Sequence, residues 1–152
     1  MEITPPPSPS TPFVTLRKTP ILLVIILFLV TLGIYTPYWF LTRRLSLNSL
    51  PATKALSLVP SIVLLAIYSI DALVQLASIS GQPAIVAFAT YSSGVVLSVG
   101  TALVLVLSFR VRTILNQQDT PIYVSVIGTF LFNVFYLQFK INRMARHLSQ
   151  PR

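Results

Sequence analysis

The chain has 152 residues, of which 54% are hydrophobic and 9% charged, whereas soluble domains carry about 25% charged residues. Eleven Lys and Arg stand against Glu2, Asp71 and Asp119, a formal net charge of +8. This balance excludes an ordinary water-soluble globule and a disordered chain and points to membrane residence. The absence of cysteine excludes disulfides, thiolate catalysis and cysteine-based zinc sites.

Residues 1–16 read as a tail in which Pro5, Pro6, Pro7, Pro9 and Pro12 alternate with Ser and Thr. Proline fixes φ and removes a donor, so an extended, mobile tail is expected. A signal peptide is not: the apolar run begins only after Arg17-Lys18, is too long, and lacks a small-residue cleavage site. A single membrane domain is expected over residues 17–148, followed by a short tail, 149–152.

Four apolar segments make up that domain. A helix needs about 20 apolar residues to cross a 30 Å hydrocarbon core. Segment one, about 21–41, satisfies this. Its first half is aliphatic, its second half carries Tyr35, Tyr38, Trp39 and Phe40, as at a water interface, and Arg43-Arg44 close it. Segment two covers about 58–79, with Pro60 in the first turn and an interfacial turn over 53–58 before it. Segment three covers about 84–109 and ends at Arg110 and Arg112. The link Ser80-Gly81-Gln82-Pro83 is so short that segments two and three should be antiparallel neighbours. Segment four covers about 121–139, with Asp119 or Thr120 as cap and Pro121 in the first helical position, and continues as a basic helix through Arg146. The expected fold class is all-α and membrane-embedded: a central antiparallel hairpin (segments two and three) flanked by segments one and four. Segments one and four share a loose pattern, Gly33 leading to Asn48 and Gly128 leading to Asn142, and no strong repeat is present.

Two topologies are compatible with this pattern. If all four segments cross, Arg17, Lys18, Lys140, Arg143, Arg146 and Arg152 lie on one side and Arg43, Arg44, Lys54, Arg110 and Arg112 on the other. That is a poor match to the cytoplasmic enrichment of Lys and Arg. If segments one and four instead dip into one leaflet and return, bending at Gly33 with Pro37 and at Gly128, all the basic residues share a face. Re-entrant backbone of this kind must be covered by protein. Both arrangements put the two termini in the cytoplasm.

Asp71 falls mid-way along segment two, where a charge costs about 2.5–3.5 kcal/mol on insertion scales. Ser61, Tyr68, Asp71, Gln75 and Ser78 form one polar stripe at helical spacing. Thr90, Gly94, Ser98 and Thr101 form a small-residue face on segment three, and Asp71 falls level with Ser92 and Ser93. A polar clasp of Tyr68, Asp71, Gln75, Ser92 and Ser93 is the main reading, ahead of a partner-binding patch or a proton relay. Arg43, Arg44, Lys140, Arg143 and Arg146 flank spans and are expected to contact anionic headgroups. Scattered basic residues of this kind do not suit nucleic acid. With His147 as the only histidine and Glu2 in the tail, no catalytic set, metal site, cofactor or phosphate-binding loop is expected.

Thr31-Leu32-Gly33-Ile34-Tyr35, then Tyr38-Trp39-Phe40, a basic pair and Leu47-Asn48 resemble the opening of a widespread bacterial membrane domain of unknown function. That family opens on T-L-G-I-Y-x-x-Y-W. It closes on an aromatic, Gln, basic, Ile-Asn-Arg pattern, similar to Tyr136-Leu137-Gln138-Phe139-Lys140-Ile141-Asn142-Arg143 here. The likeness extends over about 17–146, and Pro37 departs from the pattern. It implies a multi-pass protein of a prokaryotic inner membrane, no catalytic residue and no cofactor. It singles out Gly33, Tyr35, Tyr38, Trp39, Asn48, Gln138 and Asn142. The expected function is that of a non-enzymatic accessory or scaffold subunit binding other membrane proteins or itself. A small transporter or channel subunit using Asp71, and a lipid-organising hairpin protein, are the alternatives.

Overall fold

The computed structural model describes residues 18–53, 55–118 and 120–148. The proline-rich tail, Lys54, the Asp119 cap and the last residues, 149–152, lie outside that range. Five helices and no strand occur among the described residues: α1 (Ile21–Val30), α2 (Tyr35–Asn48), α3 (Leu58–Ser78), α4 (Pro83–Asn116) and α5 (Val126–Leu148).

Segment one is therefore two helices. The break at residues 31–34 has a local cause. Leu32 and Gly33 both take positive φ, 50° and 89°, and the Gly33 amide donates back to the Phe28 carbonyl at 2.9 Å. Glycine adopts this conformation without a Cβ penalty. Thr31 Oγ1 then accepts from the Tyr35 amide at 2.9 Å and restarts the chain as α2. The returning α2 brings Arg43 beside the start of α1, where it donates to Thr19 Oγ1 at 2.6 Å. Pro37 makes no bend. It lies in the first turn of α2, where a missing N–H is tolerated.

α3 and α4 are both long and apolar enough to cross a membrane. The most apolar windows of α3 and α4 are only 17% and 28% buried, so neither is the covered core helix of a soluble domain. Their contacts descend one helix while climbing the other: Tyr68 lies against Gly100, and Gln75 reaches Ser93. α4 runs past the expected end of segment three to Asn116. The small-residue face behaves differently from expectation. Thr90, Gly94, Ser98 and Thr101 are exposed, and a Cβ on Gly94 would meet nothing within 4 Å. Ala89, Ser93 and Gly100 face α3 instead, because the close approach is set by the Tyr68 ring.

α5 begins at Val126, so Pro121 sits in the extended connection rather than at a helix start. The helix breaks at Asn133 (φ 47°, ψ −123°), with the dihedrals of the first central residue of a type II′ turn, a place taken mostly by Gly, Asn and Asp. Gly128 was the expected bend. It serves another purpose: a Cβ there would meet the Tyr136 ring at 2.6 Å, so glycine is what lets the two arms of α5 lie together. Tyr136 Oη closes the fold-back by accepting from the Ser125 amide at 3.1 Å and donating to Ser125 Oγ at 3.2 Å.

The core gathers at one end of the molecule. Trp39, Phe40, Leu47, Leu115, Leu137 and Ile141 are fully buried there, on α2, α4 and the second arm of α5. The far halves of α3 and α4 leave Ile70, Leu73, Leu76, Phe88 and Leu97 exposed, an apolar patch that water does not accommodate.

Candidate functional site

Helices meet at the core end through three side-chain amides used in the same way. Asn48 Oδ1 accepts from the Leu56 amide at 2.7 Å, while its Nδ2 donates to the Leu56 carbonyl at 3.1 Å. Asn116 does this to Val124, at 2.8 and 3.0 Å. Asn142 does it to Thr19, at 3.3 and 2.7 Å. Each clamped residue precedes a helix, α3, α5 or α1, and has backbone groups that no ladder satisfies. An amide carries both a donor and an acceptor, so one asparagine pairs both groups at once. Arg44 Nε adds a second bond to the Leu56 carbonyl and Arg112 Nε a second to that of Val124, each at 3.0 Å. Both lone pairs of those buried carbonyls are thereby used.

These contacts trace a repeat that links α2 to α4. Arg44, Leu47, Asn48, Leu56 and Ser57 recur with identical spacing as Arg112, Leu115, Asn116, Val124 and Ser125. The loose pairing of segment one with segment four included Asn48 and Asn142 but not the Asn116 clamp. A conspicuous Arg-x-x-Leu-Asn spacing was the available signal, and Arg112 and Asn116 are the residues that sequence reasoning missed.

Of the residues singled out by family resemblance, Trp39, Gln138 and Asn142 come together. The Trp39 indole N–H donates to Gln138 Oε1 at 2.8 Å, and Gln138 Nε2 donates to Asn142 Oδ1 at 2.8 Å. Buried Gln138 thus ties α2 to the clamp that holds the start of α1. Gly33 sits at the α1–α2 bend, and Tyr35 and Tyr38 line a cleft of about 390 Å³ between those two helices. Lys18, Thr42, Arg43 and Ser46 line the same cleft, together with Leu23 and Leu27.

Among the expected headgroup contacts, Arg44 is committed to the Leu56 carbonyl, and Lys140 Nζ sits over the Tyr136 ring at 5.4 Å. Arg143 and Arg146 are exposed, and Arg146 Nε donates to the Asn142 carbonyl at 3.4 Å. The contacts of Lys18, Arg43, Arg44, Arg112, Lys140 and Arg146 place them all at the core end, opposite the uncharged α3–α4 link.

The polar set between α3 and α4 is brought together in part. Gln75 Nε2 donates to Ser93 Oγ, and Ser93 Oγ lies 3.4 Å from Asp71 Oδ1 and 2.8 Å from the Ala89 carbonyl. Ser92 donates to the Ala89 carbonyl of its own helix at 3.1 Å and shares a small apolar cavity with Asp71. Tyr68 is apart from them, pressed between Gly33 and Gly100. No group of three His, Cys, Asp or Glu able to hold a metal occurs among the described residues. No protein-family model, curated protein or solved structure matches the chain.

Proposed function

We propose that the chain is a non-enzymatic integral membrane protein that works through its shape and its lipid contacts, with α3 and α4 crossing the bilayer and the other helices held in one leaflet. The supporting observation is the pair of fold-backs. α1 has 10 residues and rises about 15 Å, half the hydrocarbon thickness, before Gly33 turns the chain round. The first arm of α5 turns round sooner, at Asn133, after seven residues and a rise of about 10 Å. Six helical arms then share the leaflet on the basic side and two continue to the other. A body of that taper spreads one leaflet more than the other, which is how a lipid-organising or curvature-favouring hairpin acts. The basic end fits the cytoplasmic face of a bacterial inner membrane, with both termini on that side. Apolar outer faces of α3 and α4 remain available to other membrane proteins or to a second copy, which is the scaffold component of the same reading.

Cysteine labelling from outside intact cells tests the topology, because the native chain has no cysteine. Reporters at Ser49, Gln82 and His147 separate the cases, with labelling at Gln82 alone as the expected result. Labelling at Ser49 but not at Gln82 would mean four crossings and would remove the wedge. Purified protein added to liposomes at rising density is then expected to narrow or tubulate them, while unchanged vesicles would sink the curvature role.

Asp71 supports a second reading, a proton or ion path, only weakly. Its neighbours Ser93 and Gln75 are not ionisable, and a relay needs several titratable groups in series. Asp71→Asn is expected to change stability by less than about 1 kcal/mol, and vesicles holding either form should show the same proton leak with a pH-sensitive dye. A flux present in the native protein and abolished in the variant would establish the transporter reading instead.

A further inference from the structure

The two fold-backs deliver residues to one cavity of about 230 Å³. Thr36, three residues after Gly33, lines it from α2, and Asn133, the bend of α5, lines it as well. Tyr68 of α3 and Thr101 of α4 complete its polar lining. Thr36, Val104 and Val134 are at most 8% exposed, whereas Leu97 and Thr101 are exposed, so the cavity opens along α4. A helical threonine commonly returns its hydroxyl to the carbonyl four residues back. Thr42, Thr90, Thr113 and Thr129 all do so, at 2.8–3.0 Å. The hydroxyls of Thr36, Thr101 and Tyr68 instead bond no described residue. Asn133 Oδ1 accepts from Ser108 Oγ, which leaves its Nδ2 as a further donor. An almost buried hydroxyl without a partner is costly, so this lining is built to be met by acceptors. No charged side chain belongs to it, and a phosphate or a cation finds nothing to recognise there. Its apolar part includes the rings of Phe28 and Phe135, edge to face at 5.5 Å.

We infer that this cavity binds the head of a lipid-soluble quinone, whose ring carbonyls accept from the free hydroxyls and from Asn133 Nδ2. A quinone head is neutral, carries acceptors but no donors, and dissolves in hydrocarbon, which matches neutral donors set among apolar and aromatic side chains. A phospholipid ester offers the same carbonyl oxygen but stays at the interface, whereas the Gly33 bend lies about 15 Å beyond the start of α1. Water would also satisfy the hydroxyls, and it is one outcome of the test. The inference rests on the bends lying within the bilayer, which cysteine labelling decides separately, so the two can fail independently.

The full chain, purified in a neutral detergent, is titrated with decylubiquinone. Quenching of Trp39, the sole tryptophan and within one turn of Thr36, is the readout. Saturable quenching at one quinone per chain is expected, undisturbed by excess decanol, which has the alkyl chain without the ring carbonyls. Thr36→Val and Tyr68→Phe keep the side-chain volume and remove one donor each, so each should weaken binding about fivefold, the equivalent of one neutral hydrogen bond. Thr113→Val, exposed and outside the cavity, should leave it unchanged. Quenching that never saturates would mean partition into the micelle and overturns the inference. Displacement by decanol overturns it too, by assigning the cavity to any alkyl chain. Unchanged affinity in both Thr36→Val and Tyr68→Phe would assign the hydroxyls to water and overturn it as well.

Discussion

Asn116→Leu is expected to lower the unfolding free energy in detergent by about 2–4 kcal/mol, and Asn48→Leu by a similar amount. Val124 and Leu56 are both fully buried. Each gives its amide proton to the asparagine oxygen and receives a bond at its carbonyl from the asparagine nitrogen. Leucine is close in size to asparagine, so packing changes little and the loss is chiefly polar. The stranded amide costs about 1–3 kcal/mol, and a weakened carbonyl pairing adds about 1 kcal/mol. Arg112 and Arg44 still occupy one lone pair of each carbonyl, which limits the damage. The aspartate variants sharpen the test. Asn116→Asp keeps an acceptor for the amide but sets a carboxylate against a carbonyl, so it should be no more stable than the leucine form. Thermal unfolding followed by circular dichroism reads all of these, and a native-like transition in Asn116→Leu would show that the clamp does not hold α5 to α4.

These clamps also show what the sequence could and could not disclose. Segments two and three were legible because length and hydropathy decide a span, and α3 and α4 appear close to where those signals put them. The break in segment one was legible at Gly33, the residue type that admits a positive φ. In α5 the same act is performed by Asn133, flanked by Phe132 and Val134, with neither glycine nor proline at the bend, so Gly128 drew the expectation instead. The small-residue face on α4 failed for a different reason. Helical spacing locates a stripe but not its partner, and Tyr68 needs its space at Gly100, on another side of the helix. End-of-helix amides are the hardest case, since Asn48 and Asn116 resemble any polar residue after a span until the residue eight positions on is known to return.

Gly33→Ala should cost about 2–5 kcal/mol, well above what the same change costs at Gly81. Both glycines have positive φ, 89° and 73°, so both substitutions carry backbone strain of about 1–2 kcal/mol. Their surroundings differ. A Cβ on Gly81 would meet nothing within 4 Å, whereas one on Gly33 would meet Tyr68 Cε1 at 3.1 Å and Cδ1 at 3.3 Å. Tyr68 has no open side to retreat to, because its other edge packs so closely on Gly100 that even a Cβ there would come within 2.8 Å of the ring. The excess at Gly33 is therefore overpacking, about 1–3 kcal/mol, of a ring held on two sides. In a Tyr68→Leu background that excess should vanish and Gly33→Ala should fall to the Gly81→Ala value, the coupling being read from a double-mutant cycle. Equal costs at the two glycines in the native background would mean that Tyr68 does not press on the α1–α2 bend. The α1–α2 turn would then owe its stability to local backbone preference alone.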